Sequence, residues 1–118
     1  DNHVKCGIEI DISSYEKPMR FRLVRPGSNW YTAGRTVECI LEDMRSITFK
    51  IITPENKYYD EVVDISEIPF REGKTTRVSV SVSFTDSDRC NITIKDLGFG
   101  EFVKSSGKVI SKELVLRS

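Results

Sequence analysis

The chain has 118 residues, with 18 basic and 18 acidic side chains and a formal net charge of zero. That length gives one domain, long enough to bury a core without disulfides or metals. The charge balance supplies no electrostatic case for nucleic acid or an anionic membrane surface, and no apolar stretch approaches the roughly 18 residues of a spanning helix.

Residues 4–11, V-K-C-G-I-E-I-D, alternate with a period of two and set Val4, Cys6, Ile8 and Ile10 on one face. Residues 13–18 read as a loop. Residues 19–24 form a second strand with Met19, Phe21 and Leu23 inward, and Arg25-Pro26-Gly27-Ser28 is a turn ahead of Trp30 and Tyr31. A third strand over 35–41 aligns Val37, Cys39 and Leu41, and residues 42–45 turn the chain. A fourth over 46–53 aligns Ile47, Phe49 and Ile51, and residues 54–57 make a tight connection to a fifth over 58–65. Ile68-Pro69 and residues 71–74 form a longer corner.

The strongest signal follows at 75–85, T-T-R-V-S-V-S-V-S-F-T. Val78, Val80, Val82 and Phe84 fall on one face, and Arg77, Ser79, Ser81, Ser83 and Thr85 on the other, a spacing no helix reproduces. Asp86-Ser87-Asp88-Arg89 is a turn, and the alternation resumes from Cys90, so the two strands form a hairpin. Residues 109–116 supply a last strand at a sheet edge. Short strands punctuated by Gly, Pro, Asn and Asp, with nothing that asks for a long helix, give an all-β fold: an antiparallel sandwich of about eight strands.

Residues suited to chemistry are sparse. His3 is the only histidine and stands at a terminus expected to fray, so neither a nucleophile–histidine pair nor a zinc site assembles, and no catalytic residue, metal or cofactor is expected. Asp86-x-Asp88 lacks the later oxygen ligands of a calcium loop. Gly98-Phe99-Gly100 lacks the helix start and Lys of a phosphate loop. Arg20, Arg22 and Arg25 read as the wet face of a strand in preference to a phosphate patch, and Trp30-Tyr31 as a core plug in preference to an aromatic ligand platform. Cys6, Cys39 and Cys90 lack C-x-x-C spacing and lie in apolar runs, so they read as buried free thiols in a reducing, cytoplasmic setting.

The order of these segments resembles the substrate-binding β-sandwich of the heat-shock-70 (DnaK-type) chaperones. Gly7-Ile8-Glu9 stands where that family has G-I-E. Phe21-Arg22-Leu23-Val24-Arg25-Pro26-Gly27-Ser28 is similar to its strand running into a polar turn, and Ser46-Ile47-Thr48-Phe49-Lys50-Ile51 to its V-T-I-x-V strand. Ile68-Pro69, Gly73 and the 75–85 strand resemble I-P-x-x-x-x-G-x-x-x-I-x-V-x-F, residues 86–94 its D-x-x-G-x-L-x-V hairpin, and Ser105-Ser106-Gly107-Lys108 its S-T-G-K. The match is collinear over nearly the whole chain. It departs in a longer loop over 11–18, a shorter stretch over 52–65, and the absence of a helical lid and interdomain linker, so the resemblance is to a divergent member.

The resemblance implies a module that captures extended apolar peptides or unfolded protein segments, excised from a longer chain with an upstream actin-like ATPase domain. It places Ile8, Ile10 and Asp11 beside the guest, lines a pocket with Ile47, Phe49 and Ile68, and adds Cys39 or Ile40 from the third strand. Two other readings stand beside it: a non-catalytic adaptor or dimerisation sandwich with no open peptide site, and an enzyme or carbohydrate-binding sandwich using Trp30 and Tyr31. For the thiols, titration under denaturing, non-reducing conditions should count three, and a count of one would reveal a disulfide.

Overall fold

The structure is a computed structural model that describes residues 1–13, 18–41, 45–69, 71, 76–98, 100 and 103–117. Eight strands form, each within two residues of its expected place except at the N-terminus: β1 (Gly7–Ser13), β2 (Pro18–Val24), β3 (Arg35–Leu41), β4 (Ser46–Ile52), β5 (Tyr58–Asp64), β6 (Thr76–Asp86), β7 (Arg89–Gly98) and β8 (Val109–Val115). They make two antiparallel four-stranded sheets, ordered β2-β1-β4-β5 and β3-β6-β7-β8. The expected eight-strand sandwich is therefore the fold. The alternating stretch at 76–86 is the interior strand β6, hydrogen-bonded on both sides.

The inward faces of the two sheets meet in one continuous core. Ile8, Ile10, Ile47, Phe49 and Ile51 from the first sheet face Val78, Val80, Ile92 and Ile94 from the second, all without exposed surface. β-branched side chains dominate because the pleated backbone holds their few rotamers without added cost. Three irregularities adjust the register. Between Ile8 and Glu9 the pairing of β1 with β2 skips Leu23, so Leu23 and Val24 both become buried, where simple alternation would bury only one. Skips at Leu97 and Thr85 similarly shift the β6–β7 pairing.

Two sequence expectations change at the N-terminus. The first strand opens at Gly7 instead of Val4, and residues 2–4 pair with 27–30 through Val4 N–H to Ser28 O at 2.8 Å and Trp30 N–H to Asn2 O at 2.9 Å. The terminus is thus tied down, with His3 bridged to Asn29, because Val4 needs a place in the core. The expected loop over 11–18 is shorter than read: β1 runs on to Ser13, which pairs with Pro18 at the start of β2. Residues 14–17, the turn residues 42–44, the corner residues 72–75, and Phe99, Glu101 and Phe102 lie outside the described residues, as does the side chain of Met19.

β7 ends at Gly98 in the left-handed region (φ +67), where a Cβ would sit 2.6 Å from the Ser105 nitrogen and 2.7 Å from the Lys104 carbonyl carbon. Gly100 has nearly the same φ (+66) but open space around it. The pair separates conformational strain from steric collision. Gly100→Ala should cost roughly 1–3 kcal/mol, the left-handed penalty alone. Gly98→Ala should cost distinctly more, as a backbone neighbour cannot swing aside. Urea unfolding of the two variants gives the comparison, and equal losses would show that residues 103–105 yield freely.

Candidate functional site

The residues named by the resemblance divide by face. Ile8, Ile10, Ile47 and Phe49 have no exposed surface, and Cys39 (3%) and Ile68 (5%) are nearly as enclosed. The fold brings them together as core, between the sheets, so the space expected for a guest side chain is filled by the domain itself. Asp11 and Ile40 stand apart from them and from each other. Asp11 is on the outer face of β1, where its carboxylate accepts a hydrogen bond from Arg20 Nε at 2.7 Å and lies 3.7 Å from Lys50 Nζ. The Arg20 hydrogen bond holds its carboxyl below the ordinary value. Ile40 is half exposed on the outer face of β3.

The two outer faces differ in chemistry. Across the first sheet, the register sets Arg22, Glu9, Lys50 and Asp60 in one row, opposite charges alternating from strand to strand. Arg20, Asp11, Thr48 and Val62 form the next row. Lys50 Nζ also lies 4.6 Å from the centre of the Tyr58 ring. Stripping water from such a face uncovers ions, which is expensive.

Across the second sheet, Thr36, Ser81, Thr93 and Ser111 form a row of hydroxyls that crosses all four strands. Thr36 Oγ1 and Ser81 Oγ are 2.9 Å apart and hydrogen-bonded. Ser79, Ser83 and Asn91 extend this uncharged patch on either side, with Glu38, Lys95 and Glu113 at its margins. Val109 and Val115 on β8 and Ile40 on β3 are each about half exposed beside it. Sequence alternation marked Ser79, Ser81 and Ser83 as wet; only the cross-strand register shows that threonine and serine continue the row on three neighbours.

Cationic side chains close both flanks of the sandwich. On one flank, an Arg35 Nη1 from β3 donates to the carbonyl of Arg22 on β2. On the other, Lys112 Nζ from β8 donates to the Val62 carbonyl on β5 at 3.1 Å, and the Arg117 amide donates to Tyr59 Oη at 2.9 Å. The Arg35 and Lys112 bonds each occupy an edge carbonyl that an added strand would need.

Among the described residues, one charged side chain is buried, and it lies outside the sequence expectations: Asp96, at 3% exposure. It continues the inward register Cys90, Ile92, Ile94, and a carboxylate in that register signals a buried partner. Its oxygens accept hydrogen bonds from Arg71 Nη2 at 2.7 Å and Nη1 at 3.3 Å, and from the amides of Gly98 and Ser106, each at 2.9 Å. Arg71 also donates to Thr76 Oγ1 at 3.1 Å and the Lys104 carbonyl at 3.2 Å. Burial pushes the Asp96 carboxyl up, but the bonds from Arg71, Ser106 and Gly98 outweigh it and hold the group well below the usual range. With its oxygens taken, this carboxylate braces the structure and has no free position for acid–base work.

The three cysteines are free and buried, and burial pushes the Cys39 thiol up to about 11 and Cys90 to about 12, so neither is a nucleophile at neutral pH. Trp30 packs against the core from a short 3-10 turn (Trp30–Thr32), as expected of a plug; Tyr31 meets it edge-on at 5.6 Å and is exposed. Among the described residues, no group of three His, Cys, Asp or Glu side chains could hold a metal ion, and no helix is long and apolar enough to cross a membrane.

A family described as a domain of unknown function (DUF8552) matches residues 3–116. No curated protein and no solved structure matches the chain.

Asp96 sets an acid limit on stability. Its folded value is depressed below the unfolded value of about 3.9, so its contribution is complete above about pH 5 and is lost as the pH falls through 4 toward the folded value. Asp96→Asn should lower stability by roughly 3–5 kcal/mol at pH 7, the usual cost of stranding a buried partner, and flatten the fall between pH 5 and pH 3. Urea midpoints at pH 3, 5 and 7 report both effects; an unchanged acid slope would rule Asp96 out as its source.

Proposed function

The chain belongs to the DUF8552 family over almost its whole length, and we propose that it is a non-catalytic interaction domain that docks a protein partner on the outer face of the β3-β6-β7-β8 sheet. The observation that carries this reading is the hydroxyl row Thr36, Ser81, Thr93 and Ser111. A flat face of neutral hydroxyls loses its water at far lower cost than the ion-covered face behind it, and each hydroxyl can donate or accept toward whatever the partner presents. The exposed Val109, Val115 and Ile40 add apolar area at its borders. A cytoplasmic setting fits the three buried free thiols.

Capture of an extended apolar peptide is the second reading, supported by the collinear motifs. Its pocket residues Ile8, Ile47, Phe49 and Ile68 are core residues, so a guest would have to part the two sheets to reach them. An upstream ATPase domain belongs to that reading alone.

The two readings part in one pair of measurements. Fluorescence anisotropy against Leu-rich extended peptides should show no saturable binding, whereas saturation would put peptide capture first. A photo-crosslinking residue replacing Ser81, in cells that make the protein, should trap a discrete protein partner, and the same probe replacing Thr48 on the opposite face should not. Equal trapping at both positions, or none at Ser81, would overturn the docking face.

A further inference from the structure

The geometry points to a phosphate-binding groove at the end of β2, formed by Arg22, Arg25 and Arg35. These side chains line a shallow groove of about 320 Å³ together with Leu23, Ser28, Thr32, Ala33 and Gly34. The turn at 25–28 and the 3-10 turn that follows fold the chain back so that the start of β3 returns beside the end of β2. The start of β3 thus brings Arg35 to the same opening as the neighbouring Arg22 and Arg25. Among the described residues, no carboxylate lines it.

The pairing of the other arginines gives this placement its meaning. Arg20, Arg71, Arg77 and Arg89 each lie within 4.0 Å of a carboxylate: Asp11, Asp96, Glu38 and Asp86 respectively. Among the described residues, Arg25 and Arg35 have no such partner, and neither does Arg117, which instead lies over the Tyr59 ring, although the chain carries as many acidic as basic residues. Arg22 lies 3.9 Å from Glu9 on the outer face of the first sheet, so, among the described residues, Arg25 and Arg35 are the two groove arginines that no carboxylate meets. Arg35 is fixed by its bond to the Arg22 carbonyl and needs no side-chain rearrangement to present its remaining donors. The Ser28 and Thr32 hydroxyls donate to the Arg25 and Asn29 carbonyls, which fixes the floor of the turn and leaves the guanidiniums as the donors toward a ligand.

Guanidinium forks match oxyanions, and three of them exceed what one carboxylate can use. A phosphomonoester dianion offers three terminal oxygens, one for each fork. The groove is wider than inorganic phosphate requires, so the phosphate comes attached to a larger body, either a phosphorylated side chain of a protein or a small phosphate ester. The site lies on the flank of the sandwich and does not depend on the hydroxyl face.

Amide chemical-shift titration of the whole 118-residue chain tests it, with inorganic phosphate, glycerol 3-phosphate, a phosphoserine peptide and its unphosphorylated form as probes. The phosphate probes should move the amides of residues 22–35 saturably, and the unphosphorylated peptide should not. Tighter binding of the phosphopeptide than of a small phosphate ester such as glycerol 3-phosphate assigns the source as a protein side chain, the reverse order assigning it as a small ester. Arg25→Gln, at an exposed position where folding is undisturbed, should weaken binding at least fivefold, and Arg35→Gln similarly, while Arg20→Gln on the first sheet's outer face should leave it within twofold. Phosphopeptide affinity should fall about tenfold from pH 7.5 to pH 5 as the dianion, with a pKa near 6, takes up a proton. Absence of a saturable shift, equal loss in Arg20→Gln, or acetate binding as tightly as phosphate would overturn the proposal.

Discussion

A single buried carboxylate fixes how one end of this sandwich closes. Asp96 sits on the inward face of β7, at a place where the apolar core would otherwise continue. Left unpaired there, a charge would be intolerable. Arg71, arriving from the crossover between β5 and β6, meets it with two bonds, and the segment at 104–106 wraps over the pair to supply an amide and accept from the guanidinium. Four separate pieces of chain are thereby held to one point. The bulge at Leu97 and the left-handed turn at Gly98 are geometric conditions for that meeting: they set Asp96 opposite Val78 and bring the Gly98 amide to the carboxylate. A hydrophobic pair in the same place would add stability without such directional demands. The ionic arrangement specifies one path for the 103–108 segment.

The same economy governs the surface. Arginines and lysines on the first sheet are neutralised by carboxylates one strand away, and on both flanks a cation is spent on an edge carbonyl. Two places stand out from this pattern: the neutral hydroxyl patch on one face, and a corner where, among the described residues, no carboxylate meets Arg25 or Arg35. Interaction sites in a rigid β-sandwich are to be sought where local chemistry is left incomplete, since the fold itself implies none.

Strand positions were legible in the sequence because the period-two alternation is strong and the turns carry Pro, Gly, Asn and Asp. Residues 35–41 match β3 end for end, and 76–86 differ from the reading by one residue at each end. The N-terminal segment is not legible in the same way, because Val4 and Cys6 keep the alternation of β1 while the chain bends at Cys6 and residues 2–4 pair with 27–30 instead. Bulges were invisible, as an extra residue such as Leu23 leaves no composition mark. Apolar alternation names the residues that point inward but not what they enclose: Ile8, Ile47 and Phe49 carry the same signal whether they line a groove or fill a core. The arginine groove was half visible. In the sequence Arg22 and Arg25 stand in a basic run, but Arg35 joins them only through the turn at 25–33, and Arg20 leaves the group by pairing with Asp11.

The order in which strands join the sheets bears on how the chain is made. β3 has a single partner, β6, which begins more than thirty residues later at Thr76. During synthesis the first sheet can assemble once β5 has emerged, but β3 must wait with its inward Cys39 and Leu41 uncovered until β6 arrives, and the Arg71–Asp96 lock waits longer still, for the end of β7. Long-range pairing of this kind delays closure and prolongs exposure of an unpaired strand. The nascent domain is therefore most vulnerable while residues 35–75 are out and β6 is not. β3 meets that interval with Arg35 and Glu38 on a strand that also carries Val37, Cys39, Ile40 and Leu41, charges that discourage it from pairing with the β3 of a neighbouring nascent chain.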